Sequence, residues 1–430
     1  MNKTSTLSII LLAGIFVGYI LGINLTRDKD TSPETLTIEK HPLQDETIQI
    51  GYVASSNDAM WFTVPLVEEI ILPDINEFSQ KLGYNVRFEA MIDSADDQVA
   101  IHLEKVQSFK TLGLNVFRGG PWSSMAQAAL SYVNDNDMLM ISPSSTSPLL
   151  AIPEDRLYRL CPTDLVQAPV LAEMWDSWGA DAIIVFQRGD SWGDGIYNLL
   201  EKELNDRGIV IIKRIRFAPE VMEYSTYLQL MDELLGEAIE EYGAERVGVQ
   251  ALTFSEEVTL VTQTPDYPNT REVIWMGAEG SGRSQMMIDG GGGLQVKLRM
   301  FSPLMVPVQS WKWKSLEDRF KGLTDLQADF YIATDYDTLW LIALGILETG
   351  STEASDVNEI FLDTARNYWG ASGWVDLDDN GDRKIGSVFE IYGFTEDGFQ
   401  IWGQCDGAEM KVTWYDDLLI EAGVVRPGSD

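Results

Sequence analysis

The chemistry of this chain starts with two hydroxyl-bearing turns. The first reads Gly119-Gly120-Pro121-Trp122-Ser123-Ser124, and the second Ile141-Ser142-Pro143-Ser144-Ser145-Thr146-Ser147-Pro148. Short apolar runs, Asn115–Phe117 and Met138–Ile141, precede them. Such runs, bounded by Gly and Pro, read as buried parallel strands. Pro121 pre-sets φ for a helix start, and Ala126, Ala128, Ala129 and Leu130 carry that helix forward. The right-handed βαβ unit so formed sets Ser123 beside the Ser144–Thr146 turn at the carboxyl edge of one sheet. Hydroxyls and free N–H groups next to a helix N-terminus suit a small anion such as a carboxylate. Ser, Thr and Pro also fill ordinary turns, and Ser123 would equally serve as a helix cap.

Other chemistries find little support. The two histidines, His41 and His102, have no Ser or Cys partner in a recognisable motif, which argues against a His-based triad or a zinc site. Cys161 and Cys405 fit either one disulfide or two buried thiols. Gly290–Gly293 has no preceding strand and no following Lys-Ser/Thr, so it reads as a flexible turn rather than a phosphate loop. Asp376, Asp378, Asn380 and Asp382 resemble half a calcium loop, but Ser387 stands where a bidentate Glu is needed. A turn with Asx caps is expected there. No strand end carries an acid–base pair or a nucleophile with its base, so no enzyme is expected. Nor is any cofactor or metal expected.

The net charge of -36 repels nucleic acid and anionic headgroups. A length of 430 residues, 45% of them hydrophobic, suits two lobes with separate cores. Leu7–Leu25 is a 19-residue stretch without a charged side chain. It fits an uncleaved membrane anchor better than a cleaved signal, and either places the body outside the cytoplasm. Thr26–Glu46 is a polar tether.

The folded body begins with a strand at Ile48–Ala54, followed by a loop and a long helix to about Leu82. A strand at Val86–Ala90 and a helix at Asp97–Phe109 lead into the βαβ unit. A second α/β run follows, with strands at Ala182–Phe186, Val210–Phe217, Val247–Leu252 and Val273–Gly277. Two successive α/β halves imply two doubly wound parallel-sheet lobes. Three hinge crossings are expected, near Cys161–Asp164, Phe301–Pro303 and Ile385–Ser387. Lobe one then comprises 47–163 with 302–385, and lobe two 164–301 with 386–430.

From about Ile48 to Phe399 the chain resembles the extracytoplasmic solute-binding proteins of ABC importers. The likeness is to the branched-chain amino-acid (Leu/Ile/Val-binding) type, with the type I periplasmic-binding fold. It is carried by the Ile141–Pro148 segment, Arg159 with Asp164-Leu165-Val166-Gln167, and Gly189-Asp190-Ser191-Trp192-Gly193-Asp194-Gly195. Met276-Gly277-Ala278-Glu279-Gly280, Tyr336-Asp337 and Asp378–Arg383 complete the set, in the family's order and spacing.

The resemblance implies a ligand carboxylate held by Ser123, the backbone of Ser144, and Thr146. It implies an ammonium met by Glu279, closing aromatics at Trp61, Trp192 and Tyr331, and a further contact at Thr253. Trp122 stands where the family often has a Cys, and Trp61 and Trp192 replace smaller aromatics. The implied function is delivery of an amino acid to a membrane permease by a hinge-closing monomer. The alternatives are a urea or short-amide binder, or the sensing domain of a receptor.

Overall fold

The computed structural model describes residues 40–384, 388–396 and 398–427, and the paired segments 25–26 and 37–38. The expected anchor, Leu7–Leu25, lies outside the described residues but for its last position. Lobe one opens with β1 (Thr47–Ala54), then α1, which runs as Met60–Pro65, a π turn Leu66–Ile71, and Leu72–Lys81. Next come β2 (Arg87–Ser94), α2 (Val99–Thr111), β3 (Val116–Arg118), α3 (Ser123–Asp135), β4 (Leu139–Ser142) and β5 (Leu157–Pro162).

The chain enters lobe two with α4 (Asp164–Trp178). There β6 (Ala182–Arg188), α5 (Ser191–Asp206), β7 (Val210–Phe217), α6 (Ser225–Tyr242), β8 (Val247–Leu252), α7 (Glu257–Thr262), β9 (Ile274–Met276) and β10 (Met300–Met305) follow. It returns to lobe one for α8 (Trp311–Thr324), α9 (Phe330–Thr349), α10 (Ala354–Arg366) and β11 (Asp382–Arg383). It ends in lobe two with β12 (Val388–Thr395), β13 (Gly398–Asp406), β14 (Lys411–Trp414) and a short helix.

The first sheet has the order β11-β5-β4-β3-β1-β2, parallel throughout. The second has the order β14-β13-β12-β10-β9-β8-β6-β7. Its five strands β6 to β10 are parallel, and an antiparallel meander, β12 to β14, extends one edge. Each sheet carries helices on both faces and so buries a separate apolar cluster on each. That two-faced burial is why β3, β4, β5, β6 and β8 are buried at every position.

The first crossing falls at Thr163. The second comes after Met305, not at Phe301–Pro303, because Pro303 lies inside β10, paired to Ile391. The expected third crossing, Ile385–Ser387, lies outside the described residues.

Among the described residues α9 alone is long and apolar enough to cross a membrane, and it is packed inside lobe one. Cys161, on β5 of lobe one, and Cys405, on β13 of lobe two, are free, buried thiols that belong to one apolar cluster. The aspartate-rich turn is an Asx turn: Asp378 Oδ1 accepts from the N–H of Asn380 (2.8 Å) and of Asp382 (3.0 Å).

Candidate functional site

A cavity of about 310 Å³ opens between the lobes at the carboxyl ends of both sheets. Ser123, Ser144, Thr146, Trp192, Glu279 and Tyr331 line it. Trp61 and Thr253 do not. Trp61 is 56% exposed, because the face of α1 that turns inward carries Ala59, Phe62 and Thr63 instead. Thr253 is buried one residue behind the lining, and Phe254 takes the contact.

The two turns are laced together. Gly120 O accepts from Ser142 Oγ (2.7 Å) and Ser145 Oγ (2.6 Å), and Pro121 O accepts from Ser144 Oγ (2.7 Å). Gly120 has φ 58°, which glycine adopts freely. Its N–H donates to His102 Nε2 (2.9 Å). Burial and Arg118 push the His102 pKa down to about 3, so the ring stays neutral and keeps that acceptor.

The hydroxyls of Ser142, Ser144 and Ser145 are therefore bonded to backbone. Ser123 differs: its Oγ accepts from the N–H of Thr146 (3.2 Å) and Ser147 (3.1 Å), which leaves its own proton for an occupant of the cavity. The first-turn N–H groups of α3 have no partner within their own helix. Together these make an anion site on lobe one.

Lobe two supplies the opposite charge. Glu279 follows β9 on a single helical turn and is 6% exposed. A side chain at Gly280 would strike Phe254 at 2.6 Å, so the turn needs glycine. The Glu279 N–H donates to Gln167 Oε1 (2.9 Å), and Gln167 Nε2 donates to Asp164 Oδ1 (2.9 Å). The Glu279 carboxyl lies near Tyr331, Gln167 and Thr146, and the Asp164 carboxyl near Thr146, Gln167 and Trp192, with Asp164 Oδ2 lacking a hydrogen-bond partner among the described residues.

Burial raises both carboxyl pKa values, and for Glu279 the nearby Asp164 charge adds to the rise. The Thr146 side chain lies beside both. Two buried carboxyls close to one another favour a state in which the pair retains a proton. The Thr146 hydroxyl faces the carboxyls as well as the cavity. Thr146→Val keeps the volume, removes that hydroxyl, and is expected to weaken an amino-acid occupant by about 1–2 kcal/mol in calorimetry.

Aromatic contacts close the rim between the lobes. Trp192 stacks on Phe254 at 4.4 Å between ring centres, and Trp122 of lobe one reaches Phe254 at 5.3 Å. Arg188 lies 4.3 Å from the centre of the Phe254 ring and is paired to Glu256 (2.9 Å) and Asp190 (2.8 Å).

Beneath the rim Glu257 is buried against Ser281 and Thr253, and burial pushes its carboxyl up to about 8. A folded-state pKa above the unfolded value near 4.3 stabilises the protein at low pH, and this contribution is lost as pH rises through about 8. The melting temperature should therefore fall between about pH 5 and about pH 9, and fall less in Glu257→Gln.

The lining or supporting residues that the sequence does not assign to the site include Tyr52, Arg118, Asp335 and Asp164. Asp164 stood only as part of a crossing motif. An Arg closing a buried strand, as Arg118 does, signals a carboxylate partner, but the sequence does not say which one.

Residues 73–397 match the family described as receptor family ligand binding region. An uncharacterised protein of Methanocaldococcus jannaschii is 25% identical over 364 residues, spanning 80% of this chain and 86% of the relative. A leucine-, isoleucine-, valine-, threonine- and alanine-binding protein of Pseudomonas aeruginosa is 26% identical over 294 residues, 66% of this chain and 73% of the relative. The crystal structure of a leucine-binding protein from Thermotoga maritima superposes with a TM-score of 0.69 at 15% identity, over 84% of this chain and 99% of the other. The family match takes in Ser123, Thr146 and Glu279, and the chain belongs to the receptor family ligand binding region family, with the two-lobed type I periplasmic-binding fold.

Proposed function

We propose that this chain is an extracytoplasmic solute-binding protein that closes its lobes on an amino acid and delivers it to an ABC permease. The observation that carries this reading is the placement of opposite charge preferences across one cavity. Ser123 and the N-terminus of α3 favour an anion on lobe one. Glu279, backed by Asp164, favours a cation on lobe two. An α-amino acid carries both groups on one carbon, so it bridges the two sites only when the lobes close. Charge-assisted bonds of about 1.5–3 kcal/mol each reward that closure.

The names of the Pseudomonas and Thermotoga proteins support the amino-acid reading. The apolar Leu7–Leu25 stretch supports a membrane-tethered protein outside the cytoplasm.

The upward shift of both carboxyls on burial favours a second reading, an uncharged urea or short amide, whose binding displaces no proton from them. Small-angle scattering combined with calorimetry tests the proposal. An amino acid that binds one-to-one should shrink the radius of gyration by hinge closure. No compaction with any standard amino acid, but compaction with urea or acetamide, would replace the first reading by the second.

A further inference from the structure

The cavity has a third wall that neither the anion site nor Glu279 uses. Strand order in the first sheet runs β5, β4, β3, β1. The carboxyl pair lies at the β5 side, the hydroxyl turns follow β3 and β4, and the wall lies at the β3–β1 side. It is built by Arg118 at the end of β3, Tyr52 on β1 and Asp335 on α9, all lining the cavity.

Arg118 Nε donates to Asp335 Oδ1 (2.9 Å) and Nη2 to Oδ2 (3.4 Å), while Nη1 donates to Val53 O. The Tyr52 hydroxyl donates to Asp335, and the guanidinium lies 4.4 Å from the centre of the Tyr52 ring. A guanidinium has five N–H groups, so Nη1 and Nη2 each keep one beyond these bonds. The Asp335 oxygens keep acceptor capacity as well. The wall is therefore neutral as a unit, yet offers both donors and acceptors.

A ligand held by its carboxylate at Ser123 and its ammonium at Glu279 shares one cavity with this wall, whose three polar groups are open to its remaining substituent alongside Ala54, Phe62 and Ile332. Asp164, Gln167 and Arg159 are buried and do not line the cavity, whereas this wall does. A branched aliphatic group there would strip water from three polar side chains and return no hydrogen bond. A carboxylate would face Asp335, and an ammonium would face Arg118. Building on the amino-acid reading, we infer that the ligand's side chain ends in an uncharged group that both donates and accepts, a carboxamide rather than a branched aliphatic chain.

Calorimetry on the full chain, unfolded and refolded to strip carried-over ligand, tests this with glutamine, asparagine, leucine, isoleucine, valine, glutamate and lysine. Glutamine or asparagine should bind at least about tenfold tighter than every other member. An aliphatic or charged member that equals them overturns the inference while leaving the amino-acid reading intact. Absence of binding by any amino acid overturns that reading, and the inference with it.

A triple variant, Tyr52→Phe, Arg118→Met and Asp335→Leu, replaces the buried pair by apolar groups, a change that well-packed cores tolerate. It should lower the glutamine-to-leucine preference by at least about tenfold. An unchanged preference in a folded triple variant also overturns the inference. If the variant does not fold, the wild-type panel decides alone.

Discussion

Glu279→Gln is expected to weaken an amino-acid ligand by about 2–4 kcal/mol and to flatten the pH dependence of binding. The substitution keeps shape and most hydrogen bonds but removes the charge that meets an ammonium in a cleft from which water is largely excluded. Asp164 remains, but it lies behind Thr146 and Gln167 and does not line the cavity, so it compensates in part only.

The pH effect has a definite sign. Both carboxyl pKa values are raised, so the empty pair holds a proton at pH values where an exposed carboxylate would have lost it. An ammonium displaces that proton. Affinity should therefore rise as pH climbs from the ordinary carboxylate range through neutrality. Calorimetry in buffers of different ionisation enthalpy should show up to about one proton released per ligand bound. The same titration on Glu279→Gln should release less. If the variant binds an amino acid as tightly as wild type, Glu279 is not the ammonium partner. If the native ligand is an uncharged amide, the loss should shrink to that of a single hydrogen bond, about 1 kcal/mol.

Much of the fold is legible in the sequence for a physical reason. A parallel strand buried on both faces must be a short apolar run closed by Gly or Pro, and 115–148 shows that pattern twice. The structure has β3, α3 and β4 there. The expected second crossing, Phe301–Pro303, falls inside β10, and Pro303 is a residue that inner strands seldom hold. It is accommodated because β9 ends beside Phe301, so on that flank Pro303 meets no strand and loses no ladder bond. The terminal meander was left unassigned, although Val388-Phe389-Glu390-Ile391-Tyr392-Gly393-Phe394 alternates its buried positions over its first residues, as a half-exposed strand does.

The site divides along the same line. Residues fixed by a local turn, such as Ser123, Ser144 and Glu279, can be located from neighbours in sequence. Trp61 could not, since the choice between it and Phe62 depends on the rotation of α1 about its axis. The Arg118–Asp335 pair joins residues 217 positions apart and is visible only after folding.

Asp382→Ala is expected to destabilise the protein by about 3–5 kcal/mol, the largest loss predicted for a change outside the cavity lining. Arg159 is fully buried, and Asp382 grips it with two bonds, Nε to Oδ1 at 2.6 Å and Nη2 to Oδ2 at 2.7 Å. Arg159 Nη1 donates onward to Ser147 O (2.6 Å) and Ser145 O (3.3 Å). One guanidinium thus ties β11, β5 and the Ser144–Thr146 turn together, close to the first crossing. Removing its carboxylate leaves a charge in the interior with no counterion, which costs far more than the net value of the intact pair. The loss should appear in urea unfolding as a lower midpoint with an unchanged slope. Because the same side chain positions the turn that holds Thr146, folded Asp382→Ala should also bind ligand more weakly. The pair Arg159→Met with Asp382→Leu should recover much of the stability, since neither charge then remains buried. It should not recover the affinity, because the carbonyls of Ser145 and Ser147 would still lack their donor. Equal recovery of both would mean that Arg159 acts only through its charge and not by holding the turn in place.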